Sequence, residues 1–253
     1  MRNLMLKIAF DGTVYAGWQR QKDQPTIQGV IEDKLSVMTG AKVAVHGAGR
    51  TDAGVHALGM TASFAAESEI PCDGFYRGLN SMLPEDIRIL EVIEKDPGFH
   101  ARKSARGKFY LYKLQVGGIC LPTDRLYCHH LKYDIDLESL GECLEILVGE
   151  HDFSCFEATG SRDPGYTGGR GAVRTIKKAE LTAGEGMPRP VSFEFIGDGF
   201  LRHMVRNMVG TLLDVGSGRI SVEDFREVLA ARDRTAAGPT APARGLFLKE
   251  VFY

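Results

Sequence analysis

Asp52 stands in the stretch Gly49-Arg50-Thr51-Asp52-Ala53-Gly54-Val55-His56-Ala57, which gathers a cation, a carboxylate, an imidazole and two glycines within nine residues. Strand-like apolar sequence flanks it: Val43 and Val45 before, Met60, Ala62 and Phe64 after. A buried, unpaired acid is strongly disfavoured. Two readings therefore stand side by side. Asp52 is either a turn acid that bonds its own backbone beside Ala53-Gly54, or a carboxylate that a cation holds ready for chemistry. Gly47-x-Gly49 invites a dinucleotide reading, but Asp52 occupies the place of the third glycine, where a carboxylate would repel a pyrophosphate.

Other chemistry-bearing residues are spread along the chain. In Gly197–Gly210, the residues Leu201, Met204, Val205, Met208 and Val209 form one apolar helical stripe that continues to Leu212. Arg202 and Arg206 are four residues apart and are expected on one side of that helix. Tyr110 and Tyr112 share a strand face by period two, with Lys108 beside them. They are either packing residues or groups that stack on a base and move a proton. Residues 98–113 carry Arg102, Lys103, Arg106, Lys108 and Lys113 without an acid, interleaved with aromatic residues. Such a strip suits a confined polyanion site, and a solvated strand face is the plain alternative. Trp18 reads as a loop anchor, and the histidines lack metal-ligand spacing.

These residues need elements to position them. Expected elements are a strand at 4–10, a helix at 26–39 between Thr26 and Gly40, strands at 42–49 and 58–65, a helix at 71–82 and a strand at 86–95. That order is the split βαβ, or ferredoxin-like, arrangement. Further on come strands near 106–116, 173–183, 191–197 and 246–252, and helices near 136–148, 201–215 and 221–231. The fold class expected is α+β: two ferredoxin-like halves whose antiparallel sheets form a central sheet, with an active-site cleft between the halves. The halves are assigned to residues 1–103, carrying the Asp52 loop, and 104–253. The Gly-rich segment 157–172 reads as a surface loop, and it matches no phosphate-binding pattern.

Composition narrows the partners. A net charge of −2 excludes a blanket polycation, and 43% hydrophobic with 25% charged residues is ordinary for a globular chain. No apolar run approaches a membrane span, and the N-terminus starts directly on a strand pattern. The five cysteines form no CxxC pair or metal spacing and read as free thiols of a reducing cytoplasm.

Five blocks together resemble the TruA family of tRNA pseudouridine synthases. They are Phe10-Asp11-Gly12-Thr13 through Gly17-Trp18-Gln19; Gly49 through Ala57; Phe99-His100-Ala101-Arg102 with Lys108-Phe109-Tyr110-Leu111-Tyr112; Phe200-Leu201 with Met204-Val205-Arg206, Gly210 and Val215-Gly216; and Ala241-Pro242 with Gly245-Leu246. The resemblance implies isomerisation of uridine to pseudouridine in the tRNA anticodon arm, at nucleotides 38, 39 and 40, by a homodimer without cofactor or metal. It places Asp52 on the catalytic aspartate, Tyr110 on the active-site tyrosine, Arg206 on the arginine that pairs with the aspartate, and Arg50 on a residue associated with the flipped nucleotide. The loop before Val173-Arg174-Thr175-Ile176 looks longer than the family's usual connection.

The residue types suit that reaction. It breaks the N1–C1′ bond, turns the uracil and rejoins it through C5, so reactant and product are isomers. An ionised carboxylate can attack C1′, attack C6 or take a sugar proton, and a nearby cation favours the ionised form. Arg102, Lys103, Lys108, Tyr112 and Arg202 are expected on the RNA, where they would offset the cost of unstacking the target base. Two rival functions stay open: a noncatalytic RNA-binding module of the same fold, and a nucleoside glycosidase that uses Asp52.

Overall fold

The computed structural model describes residues 1–161 and 169–253, and the chain divides into two compact units. The first is Met1–Arg106 together with Phe247–Tyr253; the second is Gly107–Leu246. The Gly-rich segment expected at 157–172 lies partly outside the described residues.

In the first unit, β1 (Arg2–Phe10), α1 (Ile27–Thr39), β2 (Val45–Gly47), β3 (His56–Ala66), α2 (Cys72–Met82) and β4 (Ile87–Lys95) follow the split βαβ order. β1 runs antiparallel between β4 and β3, and β2 pairs antiparallel with β3. Leu4, Leu6, Ile8 and Phe10 are buried, as alternation demands of a central strand. α1 begins at Thr26, whose hydroxyl accepts from the Gly29 N–H, and it ends at Gly40 in the left-handed region (φ 68°). Its Ile27, Ile31 and Leu35 face the core, while Phe75 of α2 meets Phe64 of β3 edge to face at 5.5 Å. β2 is shorter than expected because β3 shares one edge between two partners. Val45–Gly47 cover Ala62–Phe64, and the last strand, β10 (Leu246–Phe252), pairs in parallel with His56 and Ala57.

The second unit is built on β5 (Gly107–Val116), which pairs antiparallel with β9 (Arg189–Gly197); β9 pairs with β8 (Val173–Ala183), and β8 with β7 (Gly149–Asp152). β6 (His129–Leu131) adds in parallel to β5. The helices are α3 (Leu137–Leu147), α4 (Met204–Gly216) and α5 (Val222–Ala231). Asp136 caps α3, and Ser221 and Asp224 form a reciprocal capping box on α5. Phe193 and Phe195 of β9 are buried beside Tyr112 and Tyr110 of β5. Each unit is thus a mixed α+β layer, as expected.

α4 starts at Met204, later than expected, because His203 adopts the left-handed conformation (φ 61°) and serves as its N-cap. Arg202 therefore precedes the helix. Its expected i,i+4 relation to Arg206 is absent.

Candidate functional site

The Asp52 loop is locked in place by the segment Asp11–Trp18. The Trp18 N–H donates to the Thr51 carbonyl at 3.1 Å, and the Gly54 N–H donates to that of Tyr15 at 3.4 Å. Within the loop, the Val55 N–H donates to the Asp52 carbonyl at 3.2 Å. Two glycines make this approach possible. A Cβ on Gly12 would lie 2.0 Å from the Val55 oxygen, and one on Gly17, at φ +96°, 2.4 Å from the Thr51 oxygen. Trp18 is 2% exposed and packs across Gly47, as a loop anchor should. The Tyr15 hydroxyl donates to Asp86 at 2.7 Å; burial, then that bond and the Asp86 charge, push its phenol pKa up. Asp52 is half-buried on this frame, and Arg50 beside it is exposed.

His56, given no role by sequence reasoning, is a positioning residue of the same loop. Its Nδ1 accepts the Gly12 N–H at 3.1 Å, and its ring stacks on Phe247 at 4.7 Å. The same Nδ1 lies 3.1 Å from the Asp11 carboxylate, so the ring meets both the backbone and the acid of the facing turn. The signal was present in the stretch Gly49–Ala57, but an imidazole in a motif does not say which backbone it serves.

In the second unit, Tyr110 is 8% exposed and meets Phe200 edge to face at 5.0 Å. Arg206, in the first turn of α4, is half-buried and pinned: its Nε donates to the Ala241 carbonyl at 2.7 Å, and its own carbonyl accepts the Ala241 N–H at 3.0 Å. A polar cluster holds that strap. Asn207 is fully buried; its amide nitrogen donates to the Phe156 carbonyl at 2.8 Å, and its oxygen accepts from Thr240 at 2.6 Å and Arg234 at 3.2 Å. Gly210 permits contact closer than any side chain allows, since a Cβ there would meet the Pro239 oxygen at 1.6 Å.

Tyr112 is fully buried, and its hydroxyl donates to the Pro242 carbonyl at 2.8 Å, next to the residue that holds Arg206. Gly245 lies against its ring, where a Cβ would come within 2.8 Å. Burial pushes the Tyr112 phenol pKa up against the opposing charges of Arg206 and Arg244. Its expected place on the RNA gives way to a supporting one. Ala241-Pro242 and Gly245, which had no assigned role in the sequence, form the strap between Tyr112 and Arg206.

The basic strip divides. Arg102 and Lys103 are exposed on a turn of the first unit, whereas Lys108 and Lys113 lie half-buried on β5 of the second. Arg202 is exposed ahead of α4. Among the described residues, no group of three His, Cys, Asp or Glu side chains could hold a metal ion, and no helix is long and apolar enough to cross a membrane.

A family model described as tRNA pseudouridine synthase matches residues 7–102 and 144–253. The chain belongs to the tRNA pseudouridine synthase family. It is 55% identical to tRNA pseudouridine synthase A 1 of Desulfotalea psychrophila, with both chains covered in full. It is 44% identical to the tRNA pseudouridine synthase A of Lacticaseibacillus casei and to that of Acetivibrio thermocellus, again with full coverage. As a member of this synthase family the chain is an isomerase. The matched residues include Arg50, Asp52, Arg102, Arg202 and Arg206, while Lys103, Lys108, Tyr110 and Tyr112 lie between the two matched segments.

Proposed function

We propose that the protein isomerises uridine to pseudouridine in the anticodon arm of tRNA, at nucleotides 38, 39 and 40, with Asp52 as its catalytic carboxylate. The observation that carries this reading is the frame around Asp52. Two glycines, Trp18 and His56 are committed to a loop whose half-buried product is one carboxylate. A carboxylate fixed in advance costs no reorganisation when it acts at the sugar or the base.

Tyr110 is assigned to the uracil, packing on the ring and accepting the proton that leaves C5. Arg206 is the cation proposed to pair with that carboxylate. The bond from its Nε to the Ala241 carbonyl supports this role, because a guanidinium already held in place loses little side-chain entropy when it pairs. The family resemblance, rather than the geometry of either unit, joins Arg206 to Asp52. The isomerisation needs no redox partner or energy donor, so these side chains suffice without a cofactor. The proposed RNA contacts are Arg50, Arg102, Lys103, Lys108 and Arg202.

Two further parts of the reading concern the setting. The five free cysteines suit a cytoplasmic enzyme. Exposed Ile119, Leu121 and Met187, with Met187 lying over Gly117, support a homodimer, which light scattering of the purified protein tests. For the activity, unmodified tRNA transcripts are incubated with purified protein and pseudouridine is mapped by nucleotide. Product at 38–40 is expected. No product on any transcript would overturn the reading, and released uracil would mark a glycosidase instead.

A further inference from the structure

The first unit contains a cavity of about 610 Å³ that the roles above leave unused as a cavity. That volume falls within the range of sites that enclose small organic ligands. The Trp18 indole lies beneath it, 2% exposed and covered by Gly47, where a Cβ would lie 2.5 Å from the ring. Along one wall, the Gln28 amide oxygen accepts from Gln19 at 2.7 Å and from the Arg20 N–H at 2.8 Å. The Gln28 amide nitrogen donates to Glu32 and to the Val45 carbonyl, each at 3.0 Å. Gln28 is thereby spent on the protein, and it fixes the nitrogen end of Gln19. Among the described residues, the Gln19 amide oxygen keeps its acceptor capacity.

Arg102 and Lys103 bring charge to the lining. Both sit on a turn that His100 organises: its Nδ1 accepts their backbone N–H groups at 3.1 and 3.4 Å, and its carbonyl accepts from Ser104 at 2.9 Å. The turn is tied to the sheet from both sides. Ala101 donates to the Ser63 hydroxyl at 3.1 Å and accepts from the Tyr253 hydroxyl at 2.8 Å, while Asn3 donates to the Phe99 carbonyl at 2.9 Å. The exposed His46 ring stacks on His100 at 5.1 Å. No lining residue is acidic.

An exposed imidazole, an amide acceptor and an anchored pair of cations match the parts of a nucleotide. We propose that this cavity is a second nucleotide site for the RNA substrate, holding a base and phosphate other than the uridine that reacts. The phosphate lies against Arg102 and Lys103, and the base enters between His46 and Gln19. Single-stranded loop nucleotides are the ones free to leave their stack for such a pocket. The inference rests on the reading of RNA as substrate, and it adds a grip on the strand beside the reacting base. Arg50 lines the cavity and Asp52 follows two residues later, so the loop that carries the carboxylate also forms part of this wall.

The test uses the full chain, unmodified tRNA transcripts, and the variants His46→Ala and Gln19→Leu. Each variant is expected to weaken tRNA binding by about five- to tenfold, in line with the loss of one base contact. The single-turnover rate at saturating tRNA should stay near that of the parent. Transcripts abasic at successive anticodon-loop positions then locate the nucleotide: at one position the abasic penalty should vanish in the Gln19→Leu protein. Unchanged affinity in both variants, or penalties that add at every position, would overturn the inference. So would uridine 5′-monophosphate binding weakened by both variants with tRNA affinity intact, which marks a free-nucleotide site. A parent protein that makes no pseudouridine would count against the proposed function; a parent that turns over while both variants bind normally counts only against the second site.

Discussion

At the scale of single residues, Asp52→Asn separates chemistry from binding. The amide keeps the shape of the side chain and removes its charge, so turnover should fall by more than about 10²-fold while tRNA affinity and thermal stability hold. Equal turnover in single-turnover assays would make Asp52 a turn acid after all. Gly17→Ala probes the frame instead. The new methyl would meet the Thr51 oxygen at 2.4 Å in a backbone conformation that alanine resists. About 1–3 kcal/mol of stability should be lost, read by denaturant unfolding, together with activity. Asp52, Tyr110 and Arg206 enter the proposed site through the family resemblance. His56 and Gly12 were not assigned roles, because their work is a hydrogen bond across 44 positions of chain, which spacing does not encode.

At the scale of elements, Arg206 depends on a strap that α4 holds through Asn207 and Gly210. Asn207→Ala leaves the Phe156 carbonyl and the Thr240 hydroxyl without their partner, at a cost of about 1–3 kcal/mol. Gly210→Ala drives a methyl into Pro239 and should displace the strap. Both variants are expected to lower the melting temperature and the maximal turnover, with a smaller effect on tRNA affinity. Normal turnover in a destabilised Gly210→Ala protein would detach the strap from function. Most elements were legible because their ends are chemically marked: Thr26 and Gly40 bound α1, Asp136 caps α3, and Ser221 starts α5. β6 and β7 were not. Three or four residues such as His129-His130-Leu131 carry no alternation signal, and they become strands only because β5 and β8 offer unpaired edges.

At the scale of the whole molecule, charge rather than contact sets two expectations. If several arginines and lysines meet phosphates, tRNA affinity should fall steeply between about 50 and 200 mM salt. Removing Lys103 or Arg202 alone should then reduce the log–log slope by about one. A flat salt profile would count against the contact set. The second expectation is acid sensitivity. Burial first, then the Arg244 and His130 charges, hold His129 down at about 4, and burial with His46, Lys103 and Arg102 also lowers His100. The unfolded chain takes up these protons near the ordinary histidine value, before the folded one does. Stability is therefore full above about pH 6.5 and declines as the pH falls toward 4. Thermal melts from pH 7.5 to 5 should show the decline, and His129→Phe should flatten it.

The sequence by itself determined the element order of the first unit, the helix caps, the apolar faces and the residue types available for chemistry. These follow from local periodicity and backbone preference, which nearest neighbours in the chain set. Only the tertiary structure decided that Phe247–Tyr253 belongs with the first unit, that the basic strip splits between two units, and that Arg202 lies outside the helix that bears Arg206. It also made Tyr112 a buried support and gathered Trp18, Gln19, His46 and Lys103 around one cavity. Such outcomes depend on which distant backbones can approach closely, and glycines at positions 12, 17, 47, 210 and 245 permit that approach. A one-dimensional pattern shows the glycine, and only the fold shows what it lets in.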